Sequence, residues 1–167
     1  MMKKMVDSLW MSKLRYGLQL CTRVRLTEEE RKNENTKAAQ IAQNKVLRIL
    51  DHTEIKDRRS IKEMLEKHDM LSVNQTAAQI KLTEAWKANH DEDYPVKMMT
   101  SKKHTEREVR RGTRREMLEG GKTKIIQDSY TRDTGRIWNR APIAIKDALS
   151  IRSAKMEIKK YCKTLPI

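Results

Sequence analysis

The chain contains no phenylalanine, and its three tryptophans and four tyrosines make up only 4% of 167 residues. So few aromatics argue against single-strand recognition by stacked bases, which needs a succession of aromatic platforms. Five glycines and three prolines are too few for the turn-rich chains of sandwiches and barrels. The two cysteines, Cys21 and Cys162, lie far apart with no CxxC and no histidine at zinc spacing. Neither a metal site nor a disulfide framework follows from them, and both are expected to be reduced thiols. No run of about 18 apolar residues exists, which leaves no membrane-spanning helix to expect. The opening "MMKKMVDSLWMSKLRYGLQL" sets lysines before an apolar stretch, but Asp7, Lys13 and Arg15 interrupt any signal-peptide core. An intracellular location, nuclear or cytoplasmic, is the expectation.

Catalytic signatures are also missing. No P-loop, G-x-G-x-x-G or G-x-S-x-G occurs, and serines, histidines and aspartates are scattered. His52, His68, His90 and His104 each stand in polar surroundings and read as surface residues. The acidic cluster at Asp91 to Asp93 ends a predicted helix beside a basic stretch and reads as a solvated loop rather than a cation site. No catalysis, metal or cofactor is expected of this chain.

What the chain has in quantity is charge. Residues of type Asp, Glu, Lys and Arg make up 36%, apolar residues 37%, and the net charge is +14 with a pI near 9.9. A length of 167 residues suits one domain or two small subdomains with a modest core. The positive excess favours an anionic partner, most commonly nucleic acid.

Periodicity predicts an all-α fold: a small helical bundle, a basic linker, and a short C-terminal helical segment. Trp10, Leu14, Leu18 and Cys21 share one face of a helix within residues 5–24, which Gly17 weakens or opens to a close neighbour. Thr27 and Glu30 have the form of a capping box before a second helix with an apolar stripe at Ala39, Ala42, Val46, Ile49 and Leu50. A polar connection, "DHTEIKDRR", leads to Ser60 and Glu63, a second capping pattern ahead of Ile61, Met64 and Leu65. Ser72 and Gln75 give a third, before a helix with a wide face of Ala77, Ala78, Leu82, Ala85 and Trp86 that ends near His90. The bundle is placed at residues 1–93.

Residues 94–121 are the linker. From Lys97 to Lys124 ten Lys or Arg face four Glu, a composition for a linker or a weak basic helix. Arg107, Arg110, Arg111, Arg114 and Arg115 recur at three- and four-residue steps; in a helix they form one stripe, and these five are the candidate nucleic-acid-binding residues. Residues 122–167 form the tail, with two short helices broken at "NRAP". There Trp138 buries the turn while Asn139 caps or bridges backbone groups. Trp10, Trp86 and Trp138 all sit among apolar residues at helical spacing and are expected to be core anchors.

The segment "DTGRIWNRAPIAIKDALSIRSAKMEIKKYCKTLPI" resembles the C-terminal end of non-LTR, LINE-like, jockey-type retrotransposon reverse transcriptases, in which a Trp-Asn-x-x-Pro turn precedes a closing helix. "SKLRYGLQL", "QNKVLRIL" and "LSVNQTAAQIKLTEAWK" resemble the helical region after the polymerase palm in the same family. The likeness covers most of the chain and is least distinctive over residues 97–121. It implies a full-length parent that is an RNA-directed DNA polymerase, with a thumb-like region gripping template and primer. The paired palm aspartates that hold two metal ions in such enzymes have no counterpart in this sequence. A non-catalytic C-terminal fragment that contacts RNA or DNA phosphates without sequence preference is therefore the leading expectation. A free-standing basic helical nucleic-acid-binding protein and a helical protein-interaction module are the alternatives.

Overall fold

A computed structural model of the chain describes Ser12, Gly17, Leu18 and residues 22–30, 34–57, 59–91, 93 and 130–167. All regular structure among the described residues is helical. Six α-helices have bounds within the described residues, α1 Glu34–Leu50, α2 Ile61–Lys67, α3 Val73–His90, α4 Tyr130–Arg140, α5 Ile143–Lys146 and α6 Ile151–Lys163, with a 3₁₀ turn at Ile55–Asp57; Ser12, Gly17 and Leu18 are also helical. The chain groups into two compact units, one of residues 1–78 with 162–167, the other of residues 79–161.

In the first unit, Leu47, Met64, Leu65 and Met70 form a buried cluster, against which Leu50, Ile61 and Ile167 pack. The stripe expected on α1 is rotated: Gln43 and Leu47 are fully buried while Ile49 is 63% exposed. Positions 43, 47 and 50 follow one helical face at four- and three-residue steps, and Ile49 falls off it. The Gln43 amide is satisfied there by donating to the Leu71 carbonyl at 2.8 Å.

Capping signals differ in outcome. Thr27 to Glu30 form a turn, with Glu30 N–H donating to the Thr27 carbonyl at 3.4 Å, and the described part of α1 is Glu34–Leu50. The Glu30 carboxylate instead accepts from the Leu26 N–H at 3.0 Å. Ser60 is the N-cap of α2 without a side-chain cap bond. Ser72 and Gln75 form a reciprocal box: Ser72 N–H donates to Gln75 Oε1 at 3.0 Å, and Gln75 N–H donates to Ser72 Oγ at 3.2 Å. Two helices close on a left-handed residue, His52 after α1 (φ 50°) and Asp69 after α2 (φ 48°). Thr53 N–H donates back to the Arg48 carbonyl at 3.0 Å, and Met70 N–H to that of Leu65 at 2.9 Å, which satisfies carbonyls the helices leave open.

Polar side chains tie the distant ends of this unit together. Asn74 accepts from Arg25 N–H at 2.7 Å and donates to the carbonyls of Arg25 at 3.0 Å and Pro166 at 2.9 Å. Gln75 donates to the Leu165 carbonyl at 2.9 Å. Arg25, 5% exposed, donates to the carbonyls of Glu28, Glu30 and Ile167. Its buried guanidinium is thereby supplied with acceptors, as a buried charge requires.

In the second unit Leu82, Ala85, Trp86, Ile137, Trp138, Ala141, Ile145, Ala148, Ala154 and Ile158 are buried. Trp138 is 1% and Trp86 8% exposed, as core anchors; Trp10 lies outside the described residues. The expected break appears at Ala141 and Pro142, where Ala141 N–H returns to the Trp138 carbonyl at 3.1 Å. Lys146 lies over the Trp138 ring, 5.9 Å from its centroid, and donates to the Asn139 carbonyl at 3.4 Å. Among its described residues the tail holds three helices rather than two, because Asp147 to Ser150 separate α5 from α6.

Candidate nucleic-acid interface

Arg107, Arg110, Arg111, Arg114 and Arg115 lie outside the described residues. Among the described residues, cations gather on two surfaces. The first is an open groove of about 690 Å³ at the C-terminal end of α1, lined by Lys45, Arg48, Ile49, His52, Thr53, Glu54 and Lys56. Lys45 and Arg48 share a helical face one turn apart, and the left-handed turn at His52 brings the following strand of chain back beneath them. Arg48 donates to the Glu54 carbonyl at 3.1 Å, and Lys56 pairs with the Glu54 carboxylate at 2.8 Å. Cations at a helix C-terminus also complement the helix dipole, so part of this charge has a structural role.

The second surface is a flank of α6. Arg152 and Lys155 are exposed and Lys159 is half-buried, at steps of three and four residues. Ala154, Ile158 and Cys162, which form the adjoining face of the helix, are fully buried. Ser150 Oγ accepts from Ser153 N–H at 3.2 Å at the start of the helix. The one acid of α6, Glu157, pairs with Lys160 at 2.6 Å.

Behind the groove, Asp51 collects cations. Its carboxylate accepts from Arg59 at 3.0 Å and from Lys67, and stands 3.5 Å from His68 Nε2. The Lys67 hydrogen bond holds the Asp51 carboxyl below its ordinary value, with Arg59 adding to the effect. His68, expected to be isolated, thus sits beside a carboxylate. His90 is likewise engaged, its ring stacked on Trp86 with centroids 4.3 Å apart. His52 is exposed, and His104 lies outside the described residues.

The remaining titratable groups are built for structure. Burial raises the Cys162 thiol to about 12, which leaves it unreactive at neutral pH; Cys21 lies outside the described residues. Asp91 and Asp93 are both exposed, the Asp93 N–H donating to Asp91 Oδ1 at 3.1 Å, the geometry of a short turn. Among the described residues no three His, Cys, Asp or Glu side chains converge to hold a metal ion, and no helix is long and apolar enough to cross a membrane. The buried Lys81–Asp133 pair, 2.6 Å apart, and the carboxamides of Gln43 and Asn74 carry no periodic signal in the sequence and were legible only once their partners were in place.

Comparison with models of protein families, with curated proteins and with solved structures found no match to this chain.

Proposed function

We propose that the chain binds nucleic acid through backbone phosphates, as the non-catalytic C-terminal part of a retrotransposon-encoded RNA-directed DNA polymerase, supporting the grip on template and primer. The observation that carries this reading is the charge: an excess of 14 cations over 167 residues. Phosphate contacts require long cationic side chains and supply affinity without base readout. An all-helical scaffold suits the task, because helices hold Lys and Arg in rows at fixed spacing. The ordered short motifs of the sequence, from "SKLRYGLQL" to "RIWNRAP", add the retroelement context. The groove at Lys45, Arg48, His52 and Lys56 adds cationic surface on the first unit.

The test is a salt titration of duplex binding by the wild type and by a variant with Arg107, Arg110, Arg111, Arg114 and Arg115 all changed to Glu. Binding with little sequence preference, falling steeply with salt, is the expected result. The variant's slope should be shallower by roughly 0.9 for each lost contact on B-form DNA. Absence of salt-dependent binding in the wild type would move a protein-interaction role ahead. Primer extension on an RNA template with magnesium or manganese checks the catalytic side; extension by this chain alone would contradict the proposal.

A further inference from the structure

The interior of α1, residues 35–50, holds Lys37, Lys45 and Arg48 and no Asp or Glu. Its buried side runs through Thr36, Gln43 and Leu47. At about 100° per residue, the positions opposite that side are Ala38, Ile41, Lys45 and His52, with Arg48 and Ile49 on the two shoulders. All of these but the half-buried Arg48 are exposed. Ile41 is 51% and Ile49 63% exposed. Apolar residues scattered singly over a surface need no explanation. These two share one face about 12 Å apart along the helix, with Ala38 and Ala42 flanking Ile41.

The surface beside this face is hollowed. A depression of about 210 Å³ opens next to Ile41, with Thr36, Lys37, Asn44 and Ile167 among its walls, and its accessible wall is almost all carbon. The open groove at Lys45, Arg48 and Ile49 lies towards the other end of the helix. Lys37 borders the first hollow and Lys45 the second. Both are exposed, and neither forms an ion pair among the described residues. Arg48 and Lys56 are engaged by the carbonyl and the carboxylate of Glu54, so the uncompensated charge of the face is that of Lys37 and Lys45.

We propose that the exposed face of α1 docks an acidic amphipathic helix of a partner protein. One apolar side chain of the partner enters the depression beside Ile41, a second covers Ile49 about two turns on, and carboxylates meet Lys37 and Lys45, the anchor-and-rim pattern of a helix in a groove. The inference goes beyond the nucleic-acid reading and does not depend on it. The two partners would share Lys45 and differ at the isoleucines, since a phosphate backbone gains nothing from aliphatic side chains or a carbon-walled hollow. A second copy of this chain would set one acid-free face against another, cations against cations. A lipid surface fits less well, because an interfacial helix buries an unbroken apolar face and Lys45 stands in the middle of this one.

The experiment uses the full chain and a fluorescein-labelled helical peptide of Glu, Ala and Leu, with its leucines on one face at three- and four-residue steps, read by anisotropy. A control peptide of the same composition has its leucines spread around the helix. The one-faced peptide should bind saturably and roughly tenfold more tightly than the control, and Ile41→Ser/Ile49→Ser should weaken it by roughly tenfold or more. Lys37→Glu/Lys45→Glu should weaken it too, most at low salt. No saturable binding, or equal binding of the two peptides, overturns the docking face and leaves the nucleic-acid reading to its own titration. The isoleucine variant should keep its affinity for a mixed-sequence DNA duplex within about twofold; a parallel loss there would give the face to nucleic acid instead. Wild type that sediments as a dimer, with the isoleucine variant monomeric, would make a second copy the occupant. Tighter association with phosphatidylserine vesicles than with the peptide would make it a lipid surface. Should the isoleucine variant lose its helical circular dichroism, Lys37→Glu/Lys45→Glu replaces it and must weaken peptide binding by roughly tenfold for the proposal to stand.

Discussion

Lys81 Nζ donates to Asp133 Oδ2 at 2.6 Å, with side chains 1% and 0% exposed. The bond joins α3 to α4 across 52 residues of sequence. Arg136 adds a second contact to the same carboxylate at 2.9 Å, and the Lys81 ammonium lies 5.6 Å from the centre of the Tyr130 ring. Burial pulls the Lys81 ammonium below its ordinary value, and Asp133 opposes the shift.

Breaking that pair from one side should be costly. Asp133→Asn or Lys81→Met leaves a charge in a low-dielectric interior and should lower stability by about 3–5 kcal/mol, measured by urea unfolding. The double change Lys81→Met/Asp133→Leu should recover much of the loss, because a well-packed apolar replacement of a buried ion pair is often neutral or stabilising. A double variant no better than the single ones would mean that Arg136 and Tyr130, not the pair itself, depend on the charge.

Alkaline pH should destabilise the fold in a defined window. Cys162 is raised from 9.0 to about 12 by burial, and Tyr130 from 10.0 to about 12 by burial first and the Glu84 carboxylate second. Both groups keep their protons in the folded state at pH values where the unfolded chain has lost them. Stability from these two sites is therefore complete below pH 9 and declines as pH rises towards 12. Thermal melts across this range should show the decline, and Cys162→Ala should reduce its slope. In a Cys21→Ser background, native protein should react with a thiol reagent far more slowly than urea-unfolded protein.

Arg152 gives a case in which binding and stability oppose each other. Arg152→Glu places an acid in the first turn of α6, in line with the dipole, and should raise stability by roughly 0.3–1 kcal/mol while weakening duplex binding. Urea unfolding and anisotropy on the same preparation check both signs. A variant that loses stability would show that Arg152 holds a structural contact.

Asn74 should be among the least replaceable polar residues. Asn74→Ala strands the Arg25 N–H and the carbonyls of Arg25 and Pro166, and each buried group left unsatisfied costs about 1–3 kcal/mol. Asn74→Asp removes the donor while keeping the acceptor, so it should fall between Ala and wild type near its own protonation range and below Ala once ionised. Urea unfolding at two pH values separates the two cases.

The elements that local chemistry defines were legible in the sequence. Ser72 and Gln75 carry both halves of their capping box within one turn, Pro142 ends α4 wherever the chain folds, and Trp138 stands among apolar residues at helical steps. Contacts whose partners are distant were not. Nothing near Lys81 in the sequence indicates Asp133, so a lysine in a helix reads as exposed until α4 is placed against it. On α1 the apolar residues Val46, Leu47, Ile49 and Leu50 offer more than one face, and packing against Met64 and Leu65 selects the one centred on Leu47. The candidate site divides in the same way: the net charge was plain from composition, whereas the orientation of the α6 cations depended on which side Ala154 and Ile158 bury. The arginines of residues 107–115 lie outside the described residues.

The ties from Asn74 and Gln75 to Pro166 and Leu165 span 92 and 90 residues, and that from Arg25 to Ile167 spans 142. During synthesis the first unit therefore waits. Its early helices emerge from the ribosome long before residues 162–167 exist, and for that interval the Pro166 and Leu165 carbonyls that Asn74 and Gln75 donate to are missing. Closure is a late event set by the arrival of residues 162–167 rather than by helix formation, since non-local contacts form only after the entropy of the long loop has been met. A nascent chain halted before residue 162 should expose the Leu47 and Met64 cluster to proteases that the finished protein resists.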